Sequence, residues 1–149
     1  MKIIEGNILD VKDGFICHQV NCRGKMGAGI ALQIRRRWPQ VYDDYISAHR
    51  KGLLFLGNVT TTQVGQNLFV ANLCGQDRYG RDKQYTNYEA LAVCFNLLIA
   101  AQIPIKRQIY LPYKMGCVNA GGDWKIVADM IEHYLPNATV VKLKQGGYR

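Results

Sequence analysis

Two glycine-rich turns hold the residues whose types and spacing suit chemistry. The first reads Asn21-Cys22-Arg23-Gly24-Lys25-Met26-Gly27-Ala28-Gly29-Ile30-Ala31. It follows an apolar, strand-like run and opens a helix-like one. The first N–H groups of a helix have no intrahelical partner and carry about half a positive charge, which suits a phosphate. Glycine lets the backbone approach that phosphate closely, because no Cβ stands in the way. A plain strand-to-helix turn seldom needs three glycines within six residues, as Gly24, Gly27 and Gly29 are. The turn is not a P-loop, since Gly24-Lys25 is followed by Met26 rather than Ser or Thr. It is not a dinucleotide fingerprint either, because Leu32 stands where the third glycine would be. The second turn is Gly116-Cys117-Val118-Asn119-Ala120-Gly121-Gly122-Asp123-Trp124, again between a strand-like and a helix-like run. Two such turns at one sheet edge can clamp a diphosphate from both sides. Asp123 suits a cap on the helix it opens better than a ligand contact.

His18 stands three residues before Asn21. An unperturbed imidazole titrates near pH 6.5, so it can activate water or protonate a leaving group. Strand alternation puts His18 and Val20 on one face and Cys17, Gln19 and Asn21 on the other. Two readings follow: a catalytic histidine at the site, or a buried strand histidine hydrogen-bonded within the protein. His49 and His133 fall on helix-like runs and read as surface residues. The five cysteines are odd in number and include no CxxC pair. That disfavours a disulfide framework and a zinc site, and fits a reduced, cytoplasmic protein. Cys17 and Cys94 lie in apolar stretches and read as core.

The elements that must position these residues alternate between strand-like and helix-like. Strands are expected at 2–5, 15–20, 58–64, 67–73, 108–112 and 138–143, with Gly65-Gln66 turning a hairpin. Helices are expected at 29–38, from Pro39 to about Lys51 with Gly52 as C-cap, from Thr86 to about Gln102, and at 123–135. Thr86 with Glu89 reads as a capping box. The third helix is the most apolar, so it is expected to be covered. Residues 75–85 are polar and read as a surface loop. Alternating strands and helices predict a layered α/β domain, and the hairpin makes its sheet mixed.

The chain has 149 residues, 48% hydrophobic and 20% charged, which suits one packed domain over 1–149 and excludes a disordered tail. No apolar run is long enough to span a bilayer, and the first residues carry no secretory pattern. A net charge of +8 favours anionic partners. Arg35-Arg36-Arg37 and Lys142-Leu143-Lys144, with Arg149, form basic clusters, but no zinc finger, RNP motif or heptad accompanies them.

The two turns, with the opening Glu5-Gly6-Asn7-Ile8-Leu9, resemble the macro domain family, which binds ADP-ribose. The resemblance runs through nearly the whole chain in element order. Residues 18–31, HQVNCRGKMGAGIA, are similar to the family's first ligand loop. They most resemble the branch holding terminal ADP-ribose glycohydrolases, antitoxins that remove ADP-ribose from DNA, and ADP-ribose-1″-phosphate phosphatases. Residues 111–124, LPYKMGCVNAGGDW, are similar to the second, phosphate-facing loop. The resemblance implies a three-layer α/β/α macro domain with a central mixed sheet.

It also implies roles. Asn7 and Ile8 fall where the family contacts adenine, although many members have Asp at the first position. Asn21 falls where the distal ribose is held, and Asn72 at a strand end that could reach the second ribose or merely cap a turn. Lys25 and Met26 flank Gly27, Ala28, Gly29 and Ile30, whose backbone would meet the phosphates. Gly116, Cys117, Val118, Asn119, Ala120 and Gly121 would close from the other side. The phosphatase-like members carry a histidine where His18 stands, so His18 and Asn21 are the candidate catalytic pair. The lysine and aspartate of the branch's glycohydrolases fall near Leu73 and on Ala120 here. Residues 75–85 would form a rim beside the distal ribose.

The implied function is an ADP-ribose-binding domain that hydrolyses a bond at the distal ribose 1″ position, with no metal and no cofactor. The partner would be ADP-ribose or an ADP-ribosylated substrate, with nucleic acid as a carrier of the modification and no membrane. The alternatives are a non-catalytic reader or sponge and a basic nucleic-acid-binding domain.

Overall fold

The computed structural model describes residues 1–144. Six strands form one sheet: β1 (Lys2–Glu5), β2 (Gly14–Val20), β3 (Val59–Gln63), β4 (Leu68–Cys74), β5 (Ile109–Pro112) and β6 (Thr139–Lys142). Their order is β1-β6-β5-β2-β4-β3. Every neighbouring pair is parallel except β3 with β4, the hairpin expected around Gly65-Gln66. Four helices complete the layers: α1 (Gly29–Arg37), α2 (Pro39–Arg50), α3 (Tyr88–Ile105) and α4 (Trp124–Tyr134). Among the described residues no helix is long and apolar enough to cross a membrane. Arg149, assigned above to a basic cluster, lies outside the described residues.

The central strand β2 is buried along its whole length, and its alternation divides the core. Ile16 and Val20 face Ile34, Val41 and Tyr45 of α1 and α2. Phe15 and Cys17 face Leu91, Phe95, Val127 and Ile131 of α3 and α4. The result is the expected α/β/α sandwich around a mixed sheet. Cys17 and Cys94 are fully buried in the second cluster, as their apolar surroundings suggested.

Local chemistry explains the element ends. Gly14 opens β2 with φ +117°, and a Cβ there would sit 2.4 Å from the Gln108 carbonyl oxygen. Only glycine fits that approach. Pro39 begins α2 in its first turn, where its missing N–H costs nothing. Gly52, at φ +73°, takes over after α2. Asp123 caps α4 by accepting the Lys125 N–H at 2.9 Å, as its position predicted.

Two expectations about α3 need correction. Thr86 does not cap it; Asn87 does, accepting the Ala90 N–H at 2.9 Å. Thr86 is buried and its hydroxyl turns instead toward the Gly116 carbonyl. The helix is also not covered all round, since Val93 and Leu97 are exposed while Leu91, Cys94, Phe95 and Leu98 are buried. Composition alone could not show that the helix packs on one side of the sheet only.

Candidate functional site

Topology creates a crevice before any side chain is considered. β2 and β5 are parallel neighbours, so both end at the same sheet edge. The chain leaves β2 toward α1 on one face and leaves β5 toward α4 on the other. Neighbouring strands whose connections depart to opposite faces leave a gap at their carboxyl ends, where α/β proteins bind ligands. A cleft of about 550 Å³ lies there, a size that suits a nucleotide.

The first wall is the turn after β2. Asn21, Lys25, Gly27, Ala28 and Ile30 line the cleft. Asn21 holds the turn in shape. Its Oδ1 accepts the N–H groups of Arg23 at 2.9 Å and Lys25 at 3.3 Å, and its Nδ2 donates to Lys25 O at 2.8 Å. The Tyr45 hydroxyl, buried in α2, lies 2.6 Å from Asn21 O and 2.9 Å from its Oδ1. Desolvation pushes that phenol well above its ordinary range, so it remains a donor. Asn21 is thus an architectural residue as well as a cleft residue, and Tyr45 is its anchor. At the start of α1, Ala28 has no side-chain oxygen to cap the helix, and no acidic residue stands in the first turn. The first-turn N–H groups are left for whatever enters the cleft.

The second wall is the turn after β5, from which Gly116, Val118, Asn119 and Ala120 line the cleft. Gly116 has φ +76°, and Gly122 N donates to its carbonyl at 2.9 Å. Ala120 O accepts the N–H groups of Tyr85 at 2.7 Å and Thr86 at 3.1 Å, which zips this turn to the loop before α3. Tyr113 and Lys114 continue the wall, and Tyr79 reaches in from residues 75–85 with about half its surface exposed. Lys25 from one wall and Lys114 from the other are the charged lining residues, and among the described ones none is acidic. The cleft therefore favours an anion through both helix-end dipoles and side chains.

Other expected site residues lie outside this cleft. His18 is fully buried in the sheet, with Nε2 2.6 Å from Asn72 Oδ1. Asn72 Nδ2 donates to Thr60 Oγ1 at 3.2 Å, so Asn72 is a bridge between strands and does not reach the cleft. Since Asn72 Oδ1 can only accept, the His18 proton sits on Nε2. His18 Nδ1 has no hydrogen-bond partner among the described residues. Burial lowers the His18 pKa to about 4, against a smaller upward pull from the Asn72 bond. Of its two readings, the structure supports the buried strand histidine; it is not placed to move protons in the cleft. The parity was readable, but which face of β2 met the cleft was not.

Met26 is buried under the first turn, and Gly29 is buried within it. Cys117 is half-buried beside the second turn, its thiol pushed up to about 11 by burial. Gly121 packs toward Lys83 and Gln84 rather than into the cleft. Asn7 is exposed and caps a short turn, accepting Leu9 N–H at 3.0 Å; Ile8 is fully buried in the α1/α2 core. Leu73 is fully buried, and Ala120 offers the cleft no acid. Gln19 and Gln76 also line the cleft, which the sequence pattern does not single out. The available signal was a glutamine at the carboxyl end of an apolar strand.

No family model matches the chain. Among curated proteins, it is 36% identical over 61 residues to the DNA ADP-ribosyl glycohydrolase of Mycobacterium tuberculosis, covering 41% of this chain and 17% of that protein. It is 26% identical over 138 residues to the Thermus aquaticus protein of the same name, covering 91% of this chain and 38% of the other. It is 30% identical over 99 residues to an ADP-ribose 1″-phosphate phosphatase of Saccharomyces cerevisiae, covering 60% of this chain and 56% of the other. The chain thus spans well under half the length of the first relatives it matches. Among solved structures, a macrodomain protein from Streptomyces coelicolor superposes with a TM-score of 0.78 at 27% identity, covering 97% of this chain and 99% of that one. The macrodomain of Thermus aquaticus DarG superposes at 0.80 with 23% identity, over 95% of both chains.

Proposed function

We infer, for a chain that has the macro domain fold, that its cleft binds ADP-ribose and that it hydrolyses a bond at the distal ribose C1″. The observation that carries the binding reading is the cleft itself: two glycine turns at one crossing of the sheet, an uncapped α1 N-terminus, and no acid among the described lining residues. Gly27, Ala28 and Ile30, which line one side of the cleft, and Gly116, Val118 and Asn119, which line the other, would meet the diphosphate. Backbone N–H groups fixed in this way need no reorganisation when charge arrives. Asn21, whose Oδ1 is taken up by the turn and Tyr45, would offer its remaining Nδ2–H to a ribose hydroxyl.

The hydrolytic reading draws on the relatives, which are named for removing ADP-ribose from DNA and phosphate from ADP-ribose 1″-phosphate. Neither histidine nor carboxylate lines the cleft among the described residues. Catalysis would then rest on positioning water against C1″ and on stabilising charge, rather than on a proton relay. The C1″ bond breaks, water supplies the new C1″ oxygen, and the leaving group departs with a proton. A macromolecular leaving group is favoured by the loop 75–85, whose Tyr79 lines the cleft and whose Arg78, Arg81 and Lys83 are exposed, and by the +8 charge. DNA is the carrier we favour.

Calorimetry with ADP-ribose tests binding, and micromolar affinity is expected. Turnover assays on ADP-ribosylated DNA and on ADP-ribose 1″-phosphate test hydrolysis, and salt titration of DNA binding tests the charge. Absence of ADP-ribose binding would sink the reading. Binding without turnover of any such substrate favours a reader, for which the Leu73 and Ala120 positions speak.

A further inference from the structure

On the floor of the cleft a set of buried polar side chains ties the end of β2 to the second turn. Gln19 projects from β2 on the face opposite His18. Its Nε2 donates to Gln76 Oε1 at 2.8 Å and to Thr86 Oγ1 at 2.9 Å. Thr86 Oγ1 lies 2.6 Å from the Gly116 carbonyl oxygen and donates to it. A hydroxyl has one proton, so with that proton on Gly116 the threonine must accept from Gln19. The direction of the relay is therefore fixed: Gln19 to Thr86 to Gly116. Gly116 O also accepts the Gly122 N–H at 2.9 Å, so the relay reaches the far end of the second turn.

The relay is dry. Thr86 is 2% and Gln19 8% exposed. The Gln19 Oε1 is pressed between Gly75 and Gly116, where an added Cβ would lie 2.6 Å and 2.8 Å from it. The amide head thus fills the space between the loop after β4 and the turn after β5. Its backbone is two residues from Asn21, which shapes the first turn. One strand end therefore holds both walls, the first through Asn21 and the second through Gln19.

We propose that Gln19 and Thr86 are positioning residues that set the separation of the two turns, and so the width of the cleft across a bound diphosphate. Apolar packing tolerates sliding; buried hydrogen bonds fix distance and direction. A wall held in place before binding spares the ligand the cost of ordering it. The proposal rests on the ADP-ribose reading of the cleft for its ligand.

The test uses Thr86→Val, Thr86→Ser and Gln19→Leu in the full chain. ADP-ribose affinity is read by calorimetry, and exchange of the Gly122 amide in ligand-free protein is read by NMR. Thr86→Val and Gln19→Leu are expected to weaken affinity roughly tenfold, the cost of reordering one or two loop groups. Both should speed Gly122 exchange. Thr86→Ser keeps the hydroxyl and should return both readouts to within about twofold of wild type. The serine rescue separates positioning from bulk packing, because serine loses a methyl and keeps the relay. Wild-type affinity and exchange in Thr86→Val overturn the proposal, as does Thr86→Ser loosening the turn as much as valine. If wild type fails to bind ADP-ribose, the functional reading falls, and the relay is judged on Gly122 exchange alone. If Gln19→Leu does not fold, the Thr86 pair carries the test.

Discussion

His18 provides the sharpest test of the division between cleft and core. Its imidazole is fully buried, Nε2 donates to Asn72, and Nδ1 faces no hydrogen-bond partner among the described residues. Protonating it would place a charge in the sheet interior, so its pKa falls from 6.5 to about 4. Between those values the unfolded chain holds a proton that the folded chain refuses. Folding stability therefore rises with pH across this window. The contribution is fully present above about pH 6.5 and is lost as pH falls toward 4. At 1.36 kcal/mol per pKa unit the loss is about 3 kcal/mol across the window. Urea unfolding of wild type and His18→Gln at pH 7 and pH 4.5 measures it, since carboxylates shared by both proteins cancel in the comparison. Wild type should lose roughly 2–3 kcal/mol more than the variant over that interval. NMR titration of the imidazole should show no midpoint between pH 5 and 8. A midpoint near 6.5, or equal losses in both proteins, would refute the burial reasoning and return His18 to the list of candidate catalysts.

Further expectations follow from single contacts. Tyr45→Phe removes the hydroxyl that meets Asn21, leaving the buried Asn21 carbonyl short of a donor; stability should fall by about 1–3 kcal/mol, and ADP-ribose affinity should fall with it in calorimetry. Asp123→Ala deletes the α4 cap and should cost about 1 kcal/mol, read as a drop of roughly 2–4 °C in Tm. Gly14→Ala drives a Cβ to 2.4 Å from Gln108 O at a positive φ, so a loss of about 3 kcal/mol or more is expected in urea unfolding; a loss below about 1 kcal/mol would contradict the geometry.

Much of the fold is legible in the chain because its signals are local. Period-two and period-3.6 patterns place each strand and helix, and Gly14, Pro39, Gly52 and Asp123 mark the ends where backbone geometry admits few residues. The two glycine turns announce the cleft for the same reason, since close backbone approach leaves a mark in residue type. What stayed hidden depends on partners far apart in sequence. Thr86 fits a capping box, yet the Gly116 carbonyl 30 residues on claims its hydroxyl. His18 and Gln19 alternate as adjacent strand residues must, but only the packing of α1 and α2 against one face and α3 and α4 against the other decided which reaches the cleft. His18 went to the core and Gln19 to the site.

The sequence by itself determined the order of elements, the mixed sheet and the two phosphate-suited turns, because propensity, periodicity and glycine geometry act within a few residues. Only the tertiary structure decided which polar side chains meet in the cleft and which are sealed in the sheet. That choice is made by hydrogen bonds across 54 residues for His18 with Asn72 and 67 for Gln19 with Thr86. Those bonds exist only after the sheet has brought the strand ends together.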